Sequence, residues 1–139
     1  MASRGEVADA IEKYLEANWS ATKISFENID EKNPDDPTKL LSEGKDPYIF
    51  SATQFGDSNA AEIGRTFRRT HGVLYMEVRI PDGKGTRLGH NYISQLQSLI
   101  EYQDIGDARM RGSSSSDGFS SGGWYILPLS FKFRYDRQE

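Results

Sequence analysis

No cysteine occurs anywhere in the 139 residues, which excludes disulfides, Fe–S clusters, thiolate zinc sites and a cysteine nucleophile. Histidine is nearly as scarce. Only His71 and His90 are present, and neither stands in an H-x-x-x-H or H-E-x-x-H spacing that would hold a metal. No G-x-S-x-G marks a nucleophile elbow. Acid–base catalysis by either histidine needs an orienting partner, so two surface or half-buried imidazoles are the simpler reading. A basic excess is lacking too. Against 17 Lys and Arg stand 21 Asp and Glu, a net charge of −4, whereas a non-specific nucleic-acid binder needs cations to neutralise phosphates. The longest apolar run, Trp124 to Leu129, is far too short to span a bilayer, and the opening MASRGEVADAIEKYLEAN contains no signal-peptide core. These absences leave an expectation of one soluble, cytoplasmic domain with no catalytic residue, cofactor, metal or membrane partner. The length suits a single domain able to bury its own core.

What is present reads as alternating helical and extended segments. Ser3 and Glu6 form an S-x-x-E capping box, followed by Val7, Ile11, Tyr14 and Leu15 at helical spacing. Ile24 to Ile29 suits a short half-buried strand. Asp30 to Asp46 carries Pro34, Pro37, Gly44 and Asp35-Asp36, the chemistry of a loop, and exceeds the usual connection of about 4–6 residues. Tyr48 to Phe55 and Phe67 to Ile80 predict two strands, the second with Leu74, Met76, Val78 and Ile80 on one face. Leu88, Tyr92, Ile93, Leu96, Leu99 and Ile100 predict a helix over about 86–102, with Gly89 weakening its first turn. Ala108 to Arg111 suits a short strand. Gly112 to Gly123, GSSSSDGFSSGG, predicts a flexible loop. A long final strand alternates from Trp124 onward, and its Pro128 predicts an edge position or a bulge. The expected fold is α+β: one domain in which a mostly antiparallel sheet of four to five strands packs against two helices.

The candidate chemistry points to contact more than turnover. Arg65, Arg68, Arg69 and His71 could meet a phosphate backbone, but on a strand Arg69 and His71 take one face and Arg68 the other. Asp35 and Asp36 could offer oxygen ligands, yet the D-x-D-x-D-G calcium pattern is missing. PDGKGTR lacks the phosphate-loop order, since Lys84 lies between its glycines. By contrast Trp124, Tyr125, Tyr135 and Arg134 are residue types enriched at interface hot spots, on a strand whose predicted edge is a template for pairing with another chain.

The order and punctuation of these segments resemble the tail terminator, or tail completion, proteins of long-tailed bacteriophages related to the lambda tail terminator. The likeness rests on the N-terminal helix with Ile11 and Leu15, on PYIFSATQF after a Pro-Asp-rich loop, on RRTHGVLYMEVRIPDGKGT leading into a helix, and above all on the closing GGWYILPLSFKFRYDR. The resemblance implies a structural virion protein forming a hexameric ring of its own copies. Such a ring caps the major tail tube protein, ends its polymerisation, and presents the surface that meets a head–tail connector or neck protein. DNA would pass through the lumen without being held. Trp124, Tyr125, Arg134, Tyr135, Arg68, Arg69, Asp35, Asp36 and Phe119 are the expected subunit or tube contacts, with loops 30–46 and 112–123 reaching neighbours. A connector, neck or minor tail protein is the nearest alternative, and a small DNA-binding module a more distant one.

Overall fold

The computed structural model describes residues 3–27, 46–60, 67–83 and 85–138. Helix α1 (Arg4–Asn18) begins where the capping box places it. The backbone N–H of Glu6 donates to Ser3 Oγ at 3.2 Å, and the Ser3 hydroxyl donates to Glu6 Oε1 at 3.1 Å. This satisfies one of the donors that a first helical turn leaves unpaired. Val7, Ile11 and Leu15 form its buried stripe. Helix α2 (Arg87–Ile100) buries Ile93, Leu96 and Ile100. The two helices are tied together where the Tyr14 hydroxyl donates to the Leu99 carbonyl at 2.7 Å.

The strands are β1 (Lys23–Phe26), β2 (Tyr48–Ala60), β3 (Phe67–Pro81), β4 (Asp104–Ile105), β5 (Ala108–Ser115), β6 (Phe119–Ser121) and β7 (Trp124–Gln138). They form one sheet in the order β1-β2-β3-β7-β5-β4, with β6 alongside β7. The β1–β2 pair is parallel and the other pairs are antiparallel. Both helices lie on one face. Their apolar stripes meet Ile24, Ile49, the row Leu74 to Ile80, and the row Leu127 to Tyr135 in a continuous core.

The fold remains α+β, but the expected four to five strands are corrected to seven, curled as a half-barrel. Of the two extra strands, β4 lies just beyond α2 and β6 comes from the segment read as the loop 112–123. Its first residues extend β5, its middle forms β6, and Gly122-Gly123 makes a two-residue hairpin turn with φ of 59° and 87°, the left-handed geometry such turns require. Serine-rich sequence has little strand propensity of its own. It is extended here because β7 offers a ladder to pair with, and such context overrides propensity. The expected loop 30–46 lies, save for Asp46, outside the described residues.

A second correction concerns β7. It is not an edge strand but an interior one, between β3 and the pair β5 and β6. Pro128 is tolerated because its partner strand breaks there. β5 ends opposite Leu129 and β6 begins opposite Ile126, so the missing N–H faces the gap between them. The Pro128 carbonyl on that side is still met, by the Ser116 N–H at 3.3 Å. The outer edge of β5 is covered by the end of α2. Glu101 Oε2 accepts from the Ser113 N–H at 2.9 Å, and Gln97 Nε2 donates to Ser113 Oγ at 2.9 Å.

Gly89 has a reason the sequence did not reveal. A Cβ there would fall 2.3 Å from Leu127 Cδ1 and 2.8 Å from Ile80 Cδ1. Its absence lets the first turn of α2 approach the sheet closely, which offsets its poor helix propensity.

Candidate functional site

With both helices on one face, the other face of the sheet is left uncovered by any described element, and its strands display two different surfaces. Towards the start of β7 it is aromatic. Tyr48, Trp124 and Ile126 make a small buried cluster of their own, with Trp124 edge-on to Tyr48 at 5.1 Å. The Arg79 guanidinium lies 5.6 Å from the Tyr48 ring centroid and 5.4 Å from that of Phe50, a cation–π arrangement. Its Nη1 donates to the Tyr48 hydroxyl oxygen at 2.8 Å, and its Nε donates to Glu77 Oε1 at 2.9 Å. The second Glu77 oxygen accepts from the Tyr75 hydroxyl at 2.7 Å. Partial burial, reinforced by this bond to the Glu77 carboxylate, pushes the Tyr75 hydroxyl up to about 12. Arg79, Glu77 and Tyr48 are therefore each held by two partners or more. Phe119, in register with Ile126 across β6 and β7, stands 46% exposed at the margin.

Towards the other end of the same face the surface is cationic. β-Pairing sets His71 opposite Arg134, and Arg134 opposite Arg109. The row ends at Asp104, whose Oδ1 lies 3.4 Å from Arg109 Nε. One row away, Arg69 makes two bonds to Asp136, Nε–Oδ1 at 3.0 Å and Nη2–Oδ2 at 3.3 Å. That bond, helped by the charges of Arg69, Arg134 and Arg109, holds the Asp136 carboxyl below its ordinary value. Two open hollows of ≈ 580 Å³ and ≈ 460 Å³ adjoin here and share Arg111. The first is lined by Tyr102, Arg109, Arg111 and Arg134, the second by His71, Lys132 and Phe133 among others.

The expected contact residues are dispersed by this fold. Arg134 and Arg69 belong to the cationic end. Trp124 and Phe119 belong to the aromatic end, but Trp124 is 7% exposed and serves as a foundation more than a free anchor. Tyr135 is core, and half-buried Tyr125 packs against the core from the helix face. Arg68 pairs with Arg137 through the backbone. Asp35 and Asp36 lie outside the described residues. Sequence reading missed Tyr48, Tyr75, Glu77 and Arg79 as one network, and Arg109 and Arg111 as neighbours of Arg134. The alternation of Tyr75, Glu77 and Arg79 was visible; which strands flank them was not.

No family model matches the chain, and no curated protein matches it by sequence. Solved structures do match it. One of them, whose name states no function, superposes with a TM-score of 0.69, covering 97% of this chain and 96% of its own, at 17% identity. That likeness establishes the fold alone.

Proposed function

We propose that this chain is a structural subunit of a bacteriophage tail that caps the tail tube as a ring, stops its growth and offers the surface for head attachment. The observation that supports this reading is the uncovered aromatic end of the sheet. There half-buried Phe50, Tyr75 and Arg79 stand over a foundation of Tyr48 and Trp124, pre-ordered by hydrogen bonds and ring contacts. Tyrosine, tryptophan and arginine are the residue types that dominate interface energetics, and side chains already fixed lose little entropy on docking. The segment order that resembles the tail terminators supplies the identity of the partner, the last ring of major tail tube protein. The ring itself would use a head-to-tail contact between copies, which closes when the rotation per subunit divides the circle. DNA crosses the lumen and is not a ligand in this reading.

The test is tube growth in solution. Added to polymerising major tail tube protein, this chain should stop elongation at substoichiometric amounts, seen as a plateau in light scattering. The variant Arg79→Ala should need several-fold more protein for the same arrest. Tubes that elongate unchanged at any ratio would refute the capping role. Binding to the head portal in that case would favour a connector or neck protein.

A further inference from the structure

The cationic end of the open face is crowded in a way a lone monomer does not favour. Arg134 and Arg109 stand directly opposite each other on adjacent strands, and like charges so placed repel. Arg69, Arg109, Arg111, Lys132 and Arg134 gather here with fewer acids, Asp104, Asp136 and, at the Gly112 rim, Glu101, in a chain whose net charge is −4. The rest of the chain is therefore more acidic than its net charge suggests. Tyr102, 78% exposed and held at a φ of 59° just beyond α2, overhangs the arginine hollow. A large exposed aromatic beside three arginines has the composition of an interface anchor.

The opposite charge is crowded in the helix layer, across the sheet from the arginines. Asp9, Glu12 and Glu16 follow at i, i+3 and i+7 on α1, on the side of Glu27 just past β1, and among the described residues Lys13 pairs with Asp9 alone, at 2.9 Å. Burial and the charges of Glu16, Asp9 and Glu27 raise the Glu12 carboxyl above its ordinary value. α1 reaches β4 where Ala10 meets Gly106, but its stripe packs on the helix face whereas Arg109 and Arg134 stand on the open one. The two self-repelling patches thus sit on different surfaces of one chain, as a heterologous, head-to-tail contact requires.

We infer that the hollow formed by Tyr102, Arg109, Arg111 and Arg134 receives the acidic α1–β1 edge, bearing Glu12, Glu16 and Glu27, of a second copy of this chain. Docking sets each patch against its complement and relieves the repulsion within both. The inference deepens the ring reading and rests on it for the expectation that copies meet, but it names the faces.

Two double variants and their mixture test it by sedimentation velocity, with circular dichroism confirming the fold. The first, Arg109→Ser with Arg134→Ser, loses the cationic face. The second, Glu12→Gln with Glu16→Gln, loses the acidic one. Wild-type chain is expected to self-associate at low salt and to dissociate as salt screens the contact. Each variant alone should associate roughly tenfold or more weakly. Their equimolar mixture keeps one intact face on each partner and should form 1:1 dimers that grow no further. A wild type monomeric at every concentration, variants that associate like wild type, or a mixture that fails to dimerise would each overturn the inference. So would duplex DNA that binds wild-type chain and not the arginine variant, which would reassign the hollow to phosphate. Tube arrest separates the two readings: variants unable to self-associate that still arrest tubes sink the faces named here, whereas self-association by these faces without arrest sinks the capping role.

Discussion

Replacing Gly72 by alanine should destabilise the chain, although alanine is ordinarily the better strand residue. Gly72 lies in β3 between Phe55 of β2 and Phe133 of β7 in the same cross-strand row. The two rings meet edge-to-face across it, with centroids 6.0 Å apart at 89°. A Cβ at Gly72 would stand 2.4 Å from Phe133 Cζ and 2.7 Å from the Gln54 carbonyl oxygen. The ring could swing aside, but the backbone carbonyl belongs to the ladder and cannot move without bending β2. Overpacking of this kind costs about 1–3 kcal/mol. Losing the ring pair adds about 0.5–1.5 kcal/mol. Relief of glycine's backbone entropy returns about 0.5–1 kcal/mol. The central expectation is a net loss of about 2 kcal/mol, which for a chain of this size lowers Tm by roughly 5–10 °C. Thermal and urea unfolding followed by circular dichroism would measure it. Gly5→Ala is the control: it lies in the first turn of α1 with nothing within 4 Å of the new methyl, and should be neutral or stabilising by up to about 1 kcal/mol. A Gly72→Ala protein as stable as wild type would refute the steric argument.

Phe131→Ala removes a ring with 0% exposure from the centre of the core and should cost about 3–5 kcal/mol in urea unfolding; a loss below about 1 kcal/mol would mean the core repacks freely. Ser3→Ala deletes the α1 cap and should cost about 0.5–2 kcal/mol, with Ser3→Asp retaining most of it. Tyr75 should titrate near 12, seen as the difference in tyrosinate absorbance between wild type and Tyr75→Phe, and Glu77→Gln should bring it back towards 10. Because its folded value is raised, its contribution to stability is complete below the ordinary value of 10.0 and is lost as pH rises through about 12. A Tyr75 component titrating near 10 in wild type would contradict the bonding described.

The parts of this fold legible in sequence are those with a strong period. The stripe Val7, Ile11, Leu15 and the alternation from Leu74 to Ile80 name their elements without help, because burial on one face writes itself into spacing. Ser113 to Ser115 and Phe119 to Ser121 do not: their strands exist only because β7 is beside them. Pro128 misled for a related reason, since whether a missing N–H matters depends on what lies opposite. The open face shows the same limit more sharply. Arg109 and Arg134 are 25 positions apart in sequence and become neighbours solely through the β5–β7 register. Likewise Tyr48 meets Trp124 only because β3 threads between their strands. Residue type alone does not say which side chains share a surface.

The measurement that bears most directly on the proposed role is negative-stain imaging of tail tubes assembled without this chain and then incubated with it. The account predicts a ring of density at one end only of each tube, with tube lengths holding constant after addition. Bare tube ends and continued lengthening in the presence of excess, folded protein would contradict it.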